Sequence, residues 1–404
     1  MSCKADSTIE LIEISTGNYN VPPVGYGGAE RATFGLAKAM SKRFSVKIID
    51  FDRQPNFATK EGVPVLTLRN PLKLLNQSGL FGSSLNGAAS AFFLFIHSLR
   101  LGLYRRKNLL HFHSGVQFSV YLALMRCFVR DRQQAFCYTL HSPRWMKPSE
   151  IPFFLRIFAV PTELLSLQKA NLVTFESKAV ATSLSKIRLL PTRYLILPNG
   201  VDTDFFSKEN YPADVDHFGI LYAANFKRQK DQLTVVKAMA RVVREEPRAT
   251  LLMIGDPVDL SYYREVKKEI NALKLDAVVK ILPAMSISKL NIERAKRPIH
   301  LVYSSYTGFD VAVGETMSFS VACVFSDIPT LSGVAVDGEN CILVPPRDDV
   351  ILSQRLLELL RSPQFATRIA RQARTDAVAL LGWSNLSGKF LEGVESLLKQ
   401  QSPG

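Results

Sequence analysis

The chain has 404 residues, 47% of them hydrophobic, and a formal net charge of +14. This length suits two domains of roughly 200 residues, each large enough for its own core, and the composition is that of a folded α/β protein. Its 5 scattered cysteines show neither metal-ligand spacing nor a disulfide framework, which favours a reducing cytosol. The polar N-terminal segment indicates no signal peptide.

The positive charge is concentrated in the first half of the chain. Residues 1–205 hold 25 Lys and Arg against 13 Asp and Glu, a net of +12, whereas residues 206–404 hold 25 against 23, a net of +2. This distribution predicts an anionic partner for the first half, although solubilising surface charge explains it equally well. Nucleic acid is not expected as that partner, because the sequence contains no recognition module and no basic stretch interleaved with aromatics.

Strand-like apolar runs alternate with stretches of helical spacing throughout the first half. The predicted strands cover residues 9–15, 46–50, 109–113, 136–141, 172–175 and 194–197. Between the first two strands, apolar and small residues recur at helical spacing, at Ala29, Thr33, Leu36, Ala37 and Met40. This alternation predicts a parallel sheet with crossover helices.

The second half repeats the same alternation. Its predicted strands cover residues 218–224, 250–254, 278–282, 299–303, 322–325 and 342–344. The predicted fold class is therefore α/β, with two doubly wound, Rossmann-like domains over residues 1–205 and 206–383 and a helical segment over 384–404. Ligands of such sheets bind beyond the carboxyl ends of the strands, so a cleft between facing domains is the expected active site.

A glycine-rich loop lies between the first predicted strand and the first predicted helix, in the segment PPVGYGGAER over residues 22–31. Gly25, Gly27 and Gly28 let the backbone approach a ligand, and the helix N-terminus behind them attracts negative charge. Glycines needed only for the turn are the alternative explanation, but the position between strand and helix favours ligand binding. The loop lacks the full G-x-G-x-x-G spacing, which counts against a nicotinamide enzyme.

His141 ends the predicted strand 136–141, in the segment FCYTLH. The carboxyl end of a parallel strand points to the ligand-binding edge of the sheet, so a functional role is favoured over a structural one. His111 and His113 lie on another predicted strand, and both are expected to be ordinary packing or surface residues.

Two further segments follow strand ends. The segment LPNGVDTDFF, residues 197–206, contains an Asn-Gly turn at the junction of the predicted domains. The segment YAANFKRQKD, residues 222–231, joins a strand to a helix, and its cations Lys227, Arg228 and Lys230 suit a diphosphate. A solvated basic loop is the alternative interpretation of this second segment.

The most informative segment is YSSYTGFDVAVGETMSFSVACVF, residues 303–325. A strand runs into a Ser-Ser-Tyr-Thr-Gly turn, and a helix is predicted to begin near Asp310 with Glu315 inside it. Backbone N–H groups at such a turn, together with the helix dipole, form a phosphate site. A carboxylate two turns into the helix can accept hydrogen bonds from sugar hydroxyls.

Together these segments resemble the retaining glycosyltransferases of the GT-B fold, the large family 4-like group that includes sucrose synthase and bacterial mannosyltransferases. Residues 303–325 resemble its donor-sugar motif of two Glu separated by seven residues, with Glu315 at the second position and Thr307 at the first. The Gly-Gly-Ala-Glu loop, His141 and the segments 197–206, 222–231 and 326–340 match the family in the same order. The resemblance also implies that a final helix, residues 384–399, crosses back onto the first domain.

The resemblance implies a role for each matched residue. Lys230 would bind the donor diphosphate, Glu315 the ribose and His141 the sugar, and these three form the expected catalytic set. The other implied donor-binding residues are Gly27, Gly28, Asn225, Lys227, Arg228, Thr307, Gly308, Phe309 and Asp310.

The implied reaction transfers a hexose-type sugar, with retention, from a UDP- or GDP-sugar to a glycan or lipid-linked acceptor, without a metal or other cofactor. Three positions depart from the family pattern: Asn225 replaces an arginine, and Thr307 and Gly333 each replace a glutamate. These departures keep a second class open, a degenerate and non-catalytic GT-B protein that binds a sugar nucleotide or supports another glycosyltransferase.

Residues 88–107, AASAFFLFIHSLRLGLYRRK, form an apolar run with a basic end that is too short to span a bilayer. Such a run suits either a buried helix or a membrane interface, where its basic end would meet headgroups. Phe153, Phe154 and Phe158 with Arg156 form a second apolar and basic stretch. With the charge of the first half, these runs favour a cytoplasmic protein held peripherally on the anionic inner face of the cell membrane.

Overall fold

The computed structural model describes residues 10–22, 28–73, 79–105, 108–129, 134–141, 153–304 and 310–399. The chain divides into two compact units. The first unit consists of Met1–Pro198 with Trp383–Gly404, and the second consists of Asn199–Gly382. The boundaries predicted from the sequence lie at residues 205 and 383.

Strands and helices alternate up to residue 198. The strands are β1 (Glu10–Ile14), β2 (Ser45–Asp52), β3 (Asn56–Lys60), β4 (Val63–Arg69), β5 (Asn108–Phe112), β6 (Ala135–Leu140), β7 (Leu172–Phe175) and β8 (Tyr194–Ile196). The helices are α1 (Gly28–Met40), α2 (Gly79–Arg100), α3 (Gly115–Phe128), α4 (Phe153–Lys169) and α5 (Lys178–Lys186).

The second unit continues the alternation, and a last helix follows it. The strands are β9 (Gly219–Ala223), β10 (Thr250–Ile254), β11 (Val279–Leu282), β12 (Ile299–Val302), β13 (Ala322–Ser326) and β14 (Ile342–Val344). The helices are α6 (Gln232–Glu245), α7 (Leu260–Ala272), α8 (Ile287–Ala295), α9 (Val311–Ser318), α10 (Asp349–Arg361), α11 (Pro363–Asp376) and α12 (Trp383–Lys399).

The sheet of the first unit has the order β3-β4-β2-β1-β5-β6-β7-β8, and every described pairing is parallel except β3 with β4. Its central strands β5, β6 and β7 are buried along their whole length, as expected for parallel strands covered on both faces. The strand order reverses between β1 and β5. Ligands of doubly wound sheets bind at the carboxyl ends of such a pair.

The hairpin of β3 and β4 was absent from the predicted strands. β3 is an exposed edge strand with the sequence NFATK and carries no alternating apolar pattern. β4 buries Val63, Val65 and Leu68, but Pro64 inside the run counts against a strand assignment from the sequence. All other predicted strands occur in the structure, within one or two residues of their expected ends in the described ranges.

The second unit has one six-stranded sheet with the order β11-β10-β9-β12-β13-β14, and all of its pairings are parallel. This is the order 3-2-1-4-5-6 of a dinucleotide-type doubly wound fold. The reversal falls between β9 and β12, which pair through Ile299 and Ile220. The α/β fold class predicted from the sequence is confirmed in both units.

The last helix, α12, packs on the first unit. Trp383 begins the helix and lies directly over Gly35 of α1, where a Cβ atom would come within 2.2 Å of the indole ring. Further along the helix, the buried ring of Phe390 stacks on the imidazole of His111 at 5.0 Å between centroids. The absence of a side chain at Gly35 therefore allows the close approach of α1 and α12.

We expect the substitution Gly35→Ala to destabilise the first unit. Its methyl group would stand far inside the usual 3.5–4.0 Å contact distance from Trp383, and overpacking of this kind costs about 1–3 kcal/mol. Urea unfolding monitored by tryptophan fluorescence would measure the loss. Gly388→Ala on α12 is the matched control, because a Cβ there meets nothing within 4 Å, and an unchanged stability for both variants would contradict the prediction.

Candidate functional site

The loops that follow β9 and β12 meet at the point where the strand order of the second unit reverses. The hydroxyl of Ser304 donates to the carbonyl of Gln229 at 2.9 Å, and the phenol of Tyr222 donates to the carbonyls of Lys230 and Tyr303. Tyr222 is fully buried, and burial raises its pKa well above the usual range, so its phenol remains a donor. These bonds fix residues 229–230 beside the segment that leads into α9.

Lys230 and Asp310 form an ion pair at the N-terminus of α9. Asp310 caps this helix: its Oδ1 accepts from the backbone N–H of Ala312 at 3.1 Å, and its Oδ2 accepts from the ammonium of Lys230. The prediction that a helix begins near Asp310 is confirmed, since α9 begins at Val311 with Asp310 as its N-cap. A cation, a helix N-terminus and a partly exposed position thus coincide at the switch point, an arrangement that suits a phosphate group.

Asn225 is held by the backbone around it. Its side-chain Oδ1 accepts from the N–H of Asp256 at 3.0 Å, and its carbonyl accepts from the side-chain amide of Gln232 at 3.0 Å. Gly255 makes this approach possible, because a Cβ there would lie 2.1 Å from the carbonyl oxygen of Ala224. Asn225 therefore ties together the loops after β9 and β10, and a ligand contact by its side chain stays a prediction.

Lys227 and Arg228 are both exposed at the start of the short turn that carries Lys230. The guanidinium of Arg228 is directed at α7, where it binds the carboxylate of Glu265 at 2.9 Å and lies over the ring of Tyr262 at 5.3 Å. The expected contribution of Lys227 and Arg228 to diphosphate binding remains a prediction. Lys230, by contrast, lies against the N-terminus of α9.

Glu315 lies inside α9, five residues beyond Asp310 and therefore about 7.5 Å further along the helix axis. Its Oε2 accepts from the guanidinium of Arg294 on α8 at 2.7 Å, and the two side chains are only 6% and 4% exposed. Arg294 also donates to the side chain of Asn291 at 2.9 Å. The expected contact of Glu315 with a ribose stays a prediction, but its carboxylate already has a buried cationic partner.

Several predicted donor-binding positions lie outside the described residues: Gly27, Thr307, Gly308 and Phe309. Gly28 is described, as the exposed first residue of α1. Glu30, two residues further, is buried, and its carboxylate accepts from the hydroxyl of Thr16 and from the N–H of Tyr19. Burial raises the pKa of Glu30 against these hydrogen bonds.

His141 directly follows β6 and is connected on both sides. Its Nε2 lies 2.9 Å from Nδ1 of His113, which directly follows β5, and its Nδ1 lies 2.9 Å from the carboxylate of Glu176, which directly follows β7. The rings of His113 and His141 stack at 5.1 Å. Three residues at the carboxyl ends of three neighbouring strands thus form one hydrogen-bonded row.

Glu13 of β1 extends this row on the other side. It accepts from His113 Nε2 at 2.9 Å and from His111 Nδ1 at 2.9 Å, and the side chains of Glu13 and His111 are fully buried. His111 also binds the hydroxyl of Thr139 at 2.6 Å. The expectation that His111 and His113 are ordinary packing or surface residues is therefore wrong, because both belong to a buried polar network.

The network contains a buried charge pair. Burial alone would raise the pKa of Glu13, but the charge and hydrogen bond of His111, followed by those of His113, lower it to about 2. Burial opposes the charged form of His111 as well, yet Cys137 and Glu13 raise its pKa to about 10. Burial and the neighbouring charge of His111 lower the pKa of His113 to about 3. Glu13 and His111 are thus charged near neutral pH, whereas His113 is neutral.

A signal for this network was present in the sequence. His113, His141 and Glu176 each follow the last apolar residue of a predicted strand, so they had to share one edge of a parallel sheet. Glu13 lies between Ile12 and Ile14 in the first predicted strand, which marks it as a buried charge that needs a partner. Ligand atoms of Glu13, His111 and His113 lie within 4.8 Å of one another, so these residues could also hold a metal ion.

Comparisons with known proteins agree with this architecture. Residues 204–376 match the family described as "Glycosyl transferases group 1", and residues 26–205 match the family described as "Glycosyltransferase Family 4". The chain belongs to these family 4-like glycosyltransferases, whose fold is GT-B.

An MMP alpha-(1->4)-mannosyltransferase from Mycolicibacterium hassiacum is 26% identical over 232 residues, which are 57% of this chain and 55% of that protein. The chain spans about half the length of the curated relatives it matches. Sucrose-phosphate synthase from Thermosynechococcus elongatus has the same fold, with a TM-score of 0.77, 20% identity and coverage of 97% of this chain and 100% of that one. HepE from Anabaena, in complex with UDP, matches with a TM-score of 0.73, 16% identity and coverage of 96% and 100%.

Proposed function

We propose that this chain is a retaining glycosyltransferase that moves a hexose-type sugar from a nucleotide-sugar donor, a UDP- or GDP-sugar, to a glycan or lipid-linked acceptor. The observation that carries this proposal is the placement of Lys230 against the capped N-terminus of α9, at the switch point of a dinucleotide-type sheet. Family membership supports it, as do the structures of HepE, which has the same fold, in complex with UDP and with UDP-glucose.

The proposed chemistry needs positive charge more than it needs a nucleophilic side chain. The acceptor oxygen forms a bond to the anomeric carbon while the bond from that carbon to the diphosphate oxygen breaks. The diphosphate leaves with the electron pair, and its oxygen takes the acceptor proton on the same face of the sugar, which retains configuration. Lys230 and the N–H groups at the start of α9 would stabilise the charge that develops on the diphosphate, without a metal.

The donor can be identified by thermal unfolding in the presence of UDP-, GDP- and ADP-sugars. A ligand at one hundred times its dissociation constant stabilises the folded protein by about 2.7 kcal/mol, so the correct donor should stand out. Turnover is then measured as donor hydrolysis and transfer to acceptors, in buffer with EDTA, and NMR of the product gives its anomeric configuration. If no donor is hydrolysed and no donor sugar is transferred, the catalytic proposal is overturned. If the product has the inverted anomeric configuration, the retaining mechanism is overturned.

One observation favours a second candidate function, a non-catalytic protein that binds a sugar nucleotide or supports another glycosyltransferase. The carboxylate of Glu315 is paired with buried Arg294, and the side chain of Asn225 is bonded to the backbone of Asp256. Two groups expected to serve the donor thus have structural partners within the second unit. Donor binding without turnover, together with stable association with another glycosyltransferase, would support this alternative.

The acceptor is proposed to be a glycan or a lipid-linked molecule, with the protein held peripherally on the cytoplasmic face of the membrane. No helix in the described ranges is both long and apolar enough to cross a bilayer. The helix α2 instead has a buried face and an exposed apolar face. Ala91 and Leu94 are buried, whereas Leu85, Phe92 and Leu99 are 37%, 47% and 36% exposed. An exposed apolar stripe on a basic unit is typical of interfacial helices. The second apolar and basic stretch, with Phe153, Phe154, Arg156 and Phe158, lies among residues 153–159, whose side chains the structure does not describe.

We expect the protein to sediment with vesicles of phosphatidylserine and phosphatidylcholine at low salt and to be released at high salt, because exposed basic residues meet anionic headgroups. The double substitution Phe92→Ser and Leu99→Ser should weaken sedimentation by about tenfold or more, since each side chain loses apolar burial. Phe57→Ser on β3 is the matched control, as Phe57 is 66% exposed but lies outside the stripe. Absence of sedimentation at low salt would exclude membrane attachment through this surface.

A further inference from the structure

The first unit contains a cavity of about 530 Å³ at the edge of the sheet opposite to the polar row. Asn171 and Arg193 line this cavity and directly precede β7 and β8, so it lies at the amino-terminal ends of these parallel strands. His141, in contrast, follows the carboxyl end of β6. The volume is within the range of small-molecule sites, about 300–1,000 Å³. None of the residues proposed to bind the sugar donor lines this cavity.

The wall of the cavity combines cations, amides and apolar groups from separate segments of the chain. The end of α4 contributes Gln168, the end of α12 contributes buried Leu397, and the segment between α5 and β8 contributes Arg188 and Arg193. The side chain of Asn171 is fixed, because its Oδ1 accepts from a backbone N–H of β6 at 2.9 Å. Its amide nitrogen has no partner among the described residues and is available to a ligand.

The two arginines of the cavity are unpaired. Within the part of the chain that the structure describes, neither the guanidinium of Arg188 nor that of Arg193 forms an ion pair or a hydrogen bond. Exposed arginines of the second unit differ: Arg241 and Arg361 each bind a carboxylate at 2.8 Å. Two guanidinium groups without carboxylates at one cavity make it electropositive, and their planar forks suit the oxygens of a phosphate group.

Arg188 occupies a backbone position that favours glycine. Its φ is +55°, its N–H donates to the carbonyl of Ser185 at 3.1 Å, and the N–H of Leu189 donates to the carbonyl of Leu184 at 3.0 Å. This is a Schellman motif, in which the left-handed residue after the helix is usually glycine. Backbone N–H groups thus satisfy these carbonyls of α5, so the guanidinium of Arg188 is not needed to cap the helix. A strained residue without a structural partner for its side chain points to a ligand.

We propose that this cavity binds a phosphate monoester, with Arg188 and Arg193 on the phosphate and the side-chain amides of Gln168 and Asn171 on hydroxyl groups of the molecule that carries it. A phosphate monoester carries about −1.5 to −2 charges at pH 7, which matches two guanidinium groups. Leu397 offers an apolar surface to the carbon skeleton of the ligand. The proposal stands apart from the proposed glycosyltransferase function, because the two use different residues.

The proposal can be tested by isothermal titration calorimetry of the full chain with glycerol 3-phosphate, with glycerol as the uncharged control. The substitution Lys230→Met is included in every protein, so that the proposed donor site contributes less. We expect one saturable site, and an affinity about tenfold lower or weaker still in Arg188→Gly and in Arg193→Gln, because each loses charge-assisted hydrogen bonds. Arg43→Gln is the matched control, since Arg43 is exposed between α1 and β2, outside the cavity.

The same phosphate can also be presented by a membrane lipid. Vesicles of phosphatidic acid in phosphatidylcholine carry a phosphate monoester, whereas phosphatidylserine vesicles of equal charge carry a diester. If Arg188→Gly and Arg193→Gln lose sedimentation with phosphatidic acid alone, the cavity binds the phosphate of a lipid. If they lose only the binding of glycerol 3-phosphate, the ligand is a soluble molecule. The absence of binding in both experiments, or an equal loss in Arg43→Gln, would overturn the proposal.

The substitution Arg188→Gly also controls for folding. Glycine adopts the left-handed backbone without strain, so this variant should unfold at a temperature at least as high as that of the parent protein. Weaker phosphate binding in this variant therefore cannot result from a damaged fold, and full affinity in it would contradict the role of Arg188. A protein that binds glycerol 3-phosphate but turns over no sugar donor would refute the proposed function and leave this second site intact.

Discussion

Replacement of Lys230 by Met is expected to reduce donor turnover by about two to three orders of magnitude while leaving the fold nearly as stable as before. Removal of one preorganised group that stabilises developing negative charge typically costs this much in rate. Lys230 is the cation held at the N-terminus of α9, where the departing diphosphate is proposed to lie. Its side chain and that of Asp310 are 27% and 32% exposed, and ion pairs this accessible contribute only about 0–1 kcal/mol to stability.

The measurement is steady-state turnover of the donor identified by thermal shift, with unfolding recorded in parallel. Lys280→Met provides the matched control, because Lys280 is an exposed lysine on the edge strand β11. That control should retain wild-type turnover. Full activity of Lys230→Met would remove the central support for the catalytic proposal, whereas a collapse of stability in that variant would mean that Lys230 is mainly structural.

Much of the fold could be predicted from the sequence because buried parallel strands read as short, uninterrupted apolar runs. β7, β10 and β14 have the predicted bounds. The prediction failed at β3, where an exposed edge strand needs no apolar pattern. Sequence patterns report burial, so an element that is not buried leaves little trace in them.

The candidate site was only partly predictable. Lys230 and Asp310 could be placed together because each lies in a loop that follows a central strand, and the order of strands brings those loops to one point. Side-chain direction could not be predicted: Arg228 and Lys230 are two residues apart, yet they reach different helices. Position along the chain locates a residue at an edge of the sheet, but packing decides which neighbour its side chain meets.

Arg294 shows the same limit more clearly. It lies in the segment ERAKRP, residues 293–298, which reads as a solvated basic run at the end of a helix. In the structure its guanidinium is 4% exposed, whereas the neighbouring Lys296 is 40% exposed. Its partner Glu315 is 21 residues away in sequence, on another helix. The pair also changes the interpretation of Glu315, whose carboxylate is fixed by a buried cation whether or not it binds a ribose.

The substitution Arg294→Met is therefore expected to have the largest effect on stability. It would leave the carboxylate of Glu315 buried without its cation, and the loss of one partner of a buried ion pair costs about 3–5 kcal/mol. For a unit of this size, such a loss lowers the midpoint of thermal unfolding by roughly 6–20 °C. Differential scanning calorimetry of the full chain would measure the change.

The double variant Arg294→Met with Glu315→Gln distinguishes the explanations for that loss. A neutral amide beside a thioether has a much smaller desolvation cost than an unpaired carboxylate, so the double variant should regain a large part of the lost stability. If Glu315 also binds the ribose, the double variant will fold yet bind the donor more weakly than Lys280→Met, the surface control. A double variant that is stable and binds the donor normally would assign Glu315 to the fold alone. If the double variant instead loses as much stability as the two single substitutions added together, the pair contributes through packing and not through charge.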